Sequence, residues 1–159
     1  MRVLFAPWRH AYVTGSEPVA GCVLCAALAG ADEADSLVVH RAATNFVVMN
    51  LYPYTSGHVM IAPARHVGRL ADATPDELSE MMALARRLED VFGEVYRPEG
   101  INVGMNLGKV AGAGVADHIH LHMVPRWSGD TNFMTAVGGT RVIPEDPREA
   151  CRRLRAYFG

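Results

Sequence analysis

DHIHLHMVPRW, residues 117–127, is the stretch that decides the fold. Its imidazoles alternate with apolar side chains: His118, His120 and His122 with Ile119, Leu121 and Met123. Successive side chains of a β-strand point to opposite faces, so this spacing predicts a strand with three imidazoles on one face and three apolar groups on the other. A plain core strand gains nothing from carrying imidazoles, so the histidine face is predicted to line a reactive cleft.

The chain of 159 residues has the length of one domain and half of its residues are hydrophobic, as expected of a compact globular protein. A formal net charge of −2 gives no global reason to bind nucleic acid or an anionic membrane. Pro7 and the polar residues 9 and 10 interrupt the apolar N-terminus, and no apolar run has the length of a membrane span. These features predict a cytoplasmic location.

A long helix is predicted after Thr74, because Thr74 and Glu77 form a capping box around Pro75 and apolar residues then recur at helical spacing. A second helix is predicted over residues 147–158. Strands are predicted at 37–41, 45–50, 58–63 and 101–106 and at the histidine segment, all rich in β-branched residues. Residues 14–36, 106–116 and 126–141 read as loops. Strands grouped around one long helix indicate an α+β domain with an antiparallel sheet.

Two chemistries compete for the three histidines. They can converge on a catalytic metal, or one can act as a nucleophile that the others assist. The segment before them, NLGKVAGAGVADH (106–118), contains three glycines and Lys109, so its backbone N–H groups can approach an anion. A phosphate-binding loop that leads directly into imidazoles favours phosphoryl or nucleotidyl transfer, with an imidazole attacking phosphorus.

HIHLHMV, together with VMNLYPYTSGHVMIAPARH, MNLGKVAG and PRW, resembles the histidine-triad (HIT) family of nucleotide hydrolases and transferases. PRWSGDTNFM and RVIP are similar to the bacterial branch that cleaves diadenosine tetraphosphate by hydrolysis or phosphorolysis. The resemblance implies an α+β HIT-like fold, with a sheet of about five strands, a long helix and a C-terminal helix. It implies a single domain over 1–159, with segment 1–36, core 37–126 and extension 127–159, and it implies a homodimer.

By the same resemblance, His120 is the nucleophile that forms a nucleotidyl-histidine intermediate. His122 contacts the phosphate or leaving-group oxygens, His118 completes the triad, Asn106 binds the phosphate side and Asn50 binds the ribose. Lys109, Gly112, Gly114 and Val115 are the remaining predicted substrate-binding residues. Gly114 and Val115 stand where many members have glutamine and a hydroxyl residue, so phosphate binding is left more to backbone N–H groups and Lys109.

The cysteines Cys22 and Cys25 stand at a C-x-x-C spacing, which by itself fits a redox pair, half of a zinc site or two buried small residues. Several bacterial histidine-triad proteins use such a pair with two histidines for a structural zinc. The matching histidines here are His66 and His118. The resemblance thus implies a structural zinc and no organic cofactor.

The predicted function is the cleavage of diadenosine tetraphosphate or a related dinucleoside polyphosphate, with an adenine nucleotide as substrate. A diadenosine tetraphosphate phosphorylase and a broader AMP-ester or phosphoramidate hydrolase are alternatives with the same chemistry. A zinc-dependent hydrolase and a non-catalytic nucleotide-binding regulator are alternatives from other classes. His58, Trp8 and Trp127 are further residues that can contribute to the site or to a partner surface.

Overall fold

The protein is described by a computed structural model, in which residues 21–30, 36–131, 133–138 and 142–159 are placed. Trp8 and the first part of the segment 1–36 lie outside these described residues. The elements in chain order are α1 (Val23–Ala29), β1 (Val38–Arg41), β2 (Asn45–Met49), β3 (Val59–Pro63), α2 (Pro75–Val95), β4 (Gly100–Gly104), β5 (Leu121–Arg126), α3 (Phe133–Gly138) and α4 (Pro147–Arg155). Short 3-10 helices lie at Leu70–Asp72 and Lys109–Ala111.

The five strands form one antiparallel sheet in the order β1-β2-β3-β5-β4. This confirms the predicted α+β class and antiparallel sheet. The loop 52–57 joins β2 to β3 as a hairpin, and α2 makes the long connection from β3 to the edge strand β4. As a result, β3 pairs with β5 across the intervening α2 and β4, and the glycine-rich loop between β4 and β5 lies at one end of the sheet.

Strand β2 is buried on both faces, because a different apolar layer covers each one. Val47 and Met49 pack into the cluster below α2 and α4, whereas Phe46 and Val48 pack on the opposite face with Leu24 of α1. A strand enclosed in this way has no face exposed to solvent, which explains its nearly continuous apolar sequence.

Helix α2 begins as predicted, with both hydrogen bonds of the Thr74–Glu77 capping box present. It ends where Tyr96 and Arg97 both donate to the Phe92 carbonyl, with Arg97 at φ 46° just before Pro98. The apolar spacing predicts that Met81 and Met82 both face the core, but only Met81 is enclosed and Met82 is 59% exposed. None of the helices in the described residues is long and apolar enough to cross a membrane.

Two stretches predicted to be loops contain helices, α1 within 14–36 and α3 within 126–141. Helix α1 has no side-chain cap and no charged residue in its end turns, so local signals for it are weak. Its one buried residue, Leu24, packs on the outer face of the sheet. Tertiary packing therefore stabilises a helix for which the local sequence contains only weak signals.

Candidate active site

The histidine segment forms a strand only in part, because β5 begins at Leu121 and includes His122 alone of the three histidines. Extending the β3–β5 register by two residues would place Pro63 opposite Ile119, and proline has no N–H to donate to a ladder. Ile119 instead donates its N–H to the Val67 carbonyl at 2.7 Å. The prediction of one continuous strand with three imidazoles on one face is therefore wrong at its beginning.

His120 is 96% enclosed and is fixed by a backbone group. Its Nδ1 lies 2.8 Å from the carbonyl oxygen of His118, which can only accept, so His120 donates Nδ1–H. The neutral ring then carries its lone pair on Nε2. An imidazole with a fixed tautomer and an available Nε2 lone pair has the form that nucleophilic attack requires.

His122 belongs to a chain of hydrogen bonds that starts in the hairpin loop. The backbone N–H of Tyr54 donates to Nδ1 of His58 at 3.0 Å. Neutral His58 therefore carries its proton on Nε2, which lies 2.9 Å from Nδ1 of His122 and donates to it. His122 accepts at Nδ1 and presents Nε2–H, so a main-chain amide sets the tautomers of two imidazoles in turn.

Both members of this pair are held neutral. The pKa of His58 is lowered to about 3, mainly by burial and further by charge repulsion from His122 and His120. Burial, followed by the charge of His120, lowers the pKa of His122 to about 4. The rings of His120 and His122 meet edge to face with centroids 4.8 Å apart. A ring with an available lone pair and a ring with an N–H donor are thus in contact, a pairing that suits attack on a phosphorus atom and donation to one of its oxygens.

His118 is turned away from this pair. Its Nε2–H donates to the Pro63 carbonyl at 2.9 Å, and its Nδ1 lies 3.3 Å from the sulfur of Cys22 and 3.5 Å from that of Cys25. Nδ1 of His66 lies 3.3 Å from the Cys25 sulfur, and the four ligand atoms all lie within 4.8 Å of one another. The structure therefore brings together all four predicted metal ligands.

The donor set fits a tetrahedral ion. With Zn–S near 2.3 Å and Zn–N near 2.05 Å, adjacent sulfur and nitrogen ligands of a tetrahedron are separated by roughly 3.5 Å, close to the separations observed. Burial and the neighbouring Cys22 sulfur raise the pKa of the Cys25 thiol, an effect that a bound cation reverses. The proton on His118 Nε2 is held by a carbonyl, which leaves Nδ1 as the ligand atom.

The glycine-rich loop contains the predicted phosphate-binding residues. Gly108 has φ 87° and Gly112 has φ 95°, a conformation that side chains with a Cβ rarely adopt. A Cβ on Gly112 would lie 3.8 Å from the side-chain nitrogen of Asn106, so the loop folds back over that amide. Lys109 and Gly114 are exposed in this loop, and the Val115 side chain packs against the outer apolar cluster. Val115 can therefore offer a ligand its backbone N–H.

Asn50 lies just after β2, where its backbone N–H donates to the His58 carbonyl at 3.0 Å. Its side-chain oxygen accepts from the N–H of Tyr52 at 2.9 Å, and its amide nitrogen lies 3.4 Å from the His58 ring. Asn50, the predicted ribose contact, is thus positioned beside the His58–His122 pair.

Trp127 lies next to Tyr96, with ring centroids 6.3 Å apart.

The contacts that orient the imidazoles come largely from groups that a sequence does not single out. Three are main-chain groups, the Tyr54 N–H and the carbonyls of Pro63 and His118. His58 is the fourth, and the sequence signal for it was a histidine opening a strand, which predicts a structural role equally well. Its contact with His122 joins residues 64 positions apart.

A model of the HIT domain matches residues 31–129, so the chain belongs to the HIT family. Among proteins of known function, it is 48% identical over 120 residues to "AP-4-A phosphorylase" of Mycobacterium tuberculosis, which covers 76% of this chain and 62% of that protein. It is 36% identical over 95 residues to "Bis(5'-nucleosyl)-tetraphosphatase [asymmetrical]" of Schizosaccharomyces pombe, covering 60% of this chain and 52% of that protein. The chain thus spans less than two thirds of either relative.

A solved structure of similar fold is the zinc-bound histidine triad family protein from Mycobacterium smegmatis, with a TM-score of 0.69 and 32% identity. The match covers 86% of this chain and 92% of that one. The fold and the family predicted from the triad are therefore confirmed.

Proposed function

We propose that the protein cleaves diadenosine tetraphosphate, or a related dinucleoside polyphosphate, through a nucleotidyl-histidine intermediate on His120. The observation that carries this proposal is the hydrogen bond from His120 Nδ1–H to the His118 carbonyl, 2.8 Å long, because it leaves the lone pair on Nε2 of a ring whose centroid lies 4.8 Å from that of His122. The names of the two enzymes described above support the substrate class.

In the first step Nε2 of His120 attacks the α-phosphorus, forming a P–N bond while the bridging P–O bond breaks. The leaving group is ATP, and the AMP moiety stays on His120. His122 Nε2–H donates a hydrogen bond to the phosphate or leaving-group oxygens, where negative charge develops. Donation of Nδ1–H to a carbonyl helps His120 to carry the positive charge that its ring gains.

In the second step an acceptor attacks the same phosphorus and the P–N bond breaks, which restores neutral His120. Water as the acceptor gives AMP, so the overall products are AMP and ATP. Inorganic phosphate gives ADP, so the products are ADP and ATP. Asn106, Lys109 and the backbone N–H groups at Gly112, Gly114 and Val115 are proposed to bind the phosphate oxygens, and Asn50 the ribose.

We further propose that Cys22, Cys25, His66 and His118 hold a structural zinc ion. The S–N separations of 3.3–3.5 Å support it, as does the zinc-bound relative from Mycobacterium smegmatis. The ion supplies a cross-link between α1, the segment after β3 and the start of the histidine segment. The catalytic rings lie outside this ligand set.

A homodimer, a single domain over 1–159 and a cytoplasmic location complete the proposal. The edge strand β4 favours self-association, because its outer side has no strand partner among the described residues and its side chain Val103 is 50% exposed. A zinc-dependent hydrolase that uses the triad as ligands is disfavoured by geometry. Nδ1 of His118 points to the cysteines. Nδ1 of His120 is hydrogen-bonded to the His118 carbonyl, and Nδ1 of His122 is hydrogen-bonded to His58.

Product analysis with diadenosine tetraphosphate, with and without phosphate and in the presence of a chelator, tests the proposed reaction. AMP plus ATP identifies a hydrolase, and ADP plus ATP formed only with phosphate identifies a phosphorylase. His120→Ala is expected to abolish either activity. Absence of turnover would refute the substrate, and retained activity in His120→Ala would refute the mechanism. Loss of activity with chelator while circular dichroism shows a folded protein would favour the metal alternative.

A further inference from the structure

A pocket of about 300 Å³ lies beside His122, on the face formed by β4 and β5. Its walls include Tyr54, Asn102, Gly104, His122 and Arg126. Gly104 is paired with His122 in the sheet register, and alternation along β5 puts His122 and Arg126 on one face. The pocket therefore extends from the proposed leaving-group donor along the sheet, away from the Cys–His cluster.

The cation in this pocket is held in a defined orientation. Nε and Nη2 of Arg126 donate to the two carboxylate oxygens of Asp130, and Nη1 donates to Oδ1 of Asn102 at 2.7 Å. A guanidinium carries five N–H groups, and these bonds use one of them on each nitrogen. One N–H on each terminal nitrogen is left for a ligand, and charged N–H donors on two nitrogens of one guanidinium suit the oxygens of a phosphate.

The dimensions suit an extended ligand. His122 and Arg126 are four residues apart on one strand, a span of about 13 Å. A Cβ built on Gly104, opposite His122, meets no atom within 4 Å, so the pocket is open beside His122, and the buried Val124 lies between His122 and Arg126. At the mouth, the Tyr54 ring is half exposed and its centroid lies 6.0 Å from that of His122.

We propose that this pocket is the leaving-group subsite, in which Arg126 and Asn102 bind the distal phosphates of the departing nucleotide and Tyr54 covers its nucleoside. The inference rests on the proposed function, since it names where the ATP half of the substrate lies. It makes Arg126 and Asn102 residues that select long polyphosphate leaving groups over short ones.

The test compares two substrates that transfer the same AMP moiety, diadenosine tetraphosphate and the p-nitrophenyl ester of AMP, whose leaving group has no phosphate. The readout is the ratio of kcat/KM for the tetraphosphate to that for the ester. Arg126→Lys keeps a cation beside Asp130, whose side chain is 7% exposed, so the variant can fold while it loses the paired donors. We expect the ratio to fall about 10- to 100-fold, as for the loss of hydrogen bonds to a charged group.

Two further variants keep the test independent of one substitution. Asn102→Ala removes one of the two partners of Arg126, and Gly104→Val fills the open part of the pocket beside His122, so both are expected to lower the same ratio. The matched control is Arg152→Gln, which removes an exposed arginine of α4 that pairs with Glu149. An unchanged ratio in Arg126→Lys and Gly104→Val would overturn the inference while leaving the proposed function intact.

If the wild type cleaves neither substrate, calorimetric measurement of inorganic tripolyphosphate binding tests the pocket independently of the proposed reaction. Weaker binding in Arg126→Lys but not in Arg152→Gln would support the pocket although the proposed function had failed. Equal binding in wild type and both variants, or no binding, would overturn the inference as well.

Discussion

Replacing His58 with leucine removes both hydrogen bonds that connect the Tyr54 amide to His122. His58 is fully buried, so no water replaces it directly, and Nδ1 of His122 loses the donor that holds its proton on Nε2. The hydrogen bond weakened as a result is the proposed one from His122 to the charged oxygens of the reacting phosphate, which contributes about 1.5–3 kcal/mol. At 1.4 kcal/mol for each factor of ten, kcat is expected to fall about 10- to 100-fold.

The matched variant is His58→Gln, because a glutamine side chain contains one donor and one acceptor and can replace either bond, although not with the ring geometry. Its kcat is expected to lie between those of wild type and His58→Leu. Pre-steady-state turnover of diadenosine tetraphosphate measures the first chemical step in all three proteins. Circular dichroism and urea unfolding check that each variant is folded.

Nitrogen chemical shifts of the imidazoles test the cause directly. In the wild type, Nδ1 of His122 is expected to show the shift of an unprotonated nitrogen and Nε2 that of a protonated one. A folded His58→Leu variant with wild-type kcat would refute the reasoning. So would a wild-type spectrum in which Nδ1 of His122 carries the proton.

Three other expectations concern stability. The pKa values of His58 and His122, about 3 and 4, lie below the unfolded value, so the unfolded chain binds more protons between about pH 6.5 and 4. The contribution of these histidines to the free energy of unfolding is fully present above pH 6.5 and is lost as the pH falls, by at most about 1.4 kcal/mol per histidine per pH unit. Equal urea midpoints at pH 7 and pH 5 would contradict this expectation. A strong chelator should lower Tm by about 5–11 °C in wild type, given roughly 2.7 kcal/mol of metal stabilisation and 2–4 °C per kcal/mol, with no effect on a Cys22→Ala, Cys25→Ala variant. Thr74→Ala should cost about 1 kcal/mol by loss of the α2 cap, measured by urea unfolding against Ser79→Ala as an exposed control on the same helix.

Local signals in the sequence were sufficient for several elements. The Thr74–Glu77 capping box, Pro75 and the apolar spacing predicted α2, since these interactions join residues within one turn of each other. The hairpin between β2 and β3 was predictable because Pro and Gly in residues 52–57 interrupt two β-branched runs. Membership of the HIT family was predictable because its motifs, HIHLHMV above all, are contiguous in the sequence.

Other features depend on contacts between distant parts of the chain. His118 leaves the histidine face because Cys22, 96 residues earlier, lies within 3.3 Å of its ring. The start of β5 depends on Pro63, which cannot donate to the strand beside it. Met82 is exposed although it has the same hydrophobicity as its buried neighbour Met81, because the sheet lies on one side of α2.

The sequence was thus sufficient to propose the residues of the candidate site but not their protonation. A histidine in the sequence specifies an imidazole, but it does not specify which ring nitrogen carries the proton. That choice is made by the carbonyl of His118 for His120 and by the amide of Tyr54, through His58, for His122. Main-chain donors and acceptors are identical in every residue, so only the tertiary structure decides which of them meets a given ring.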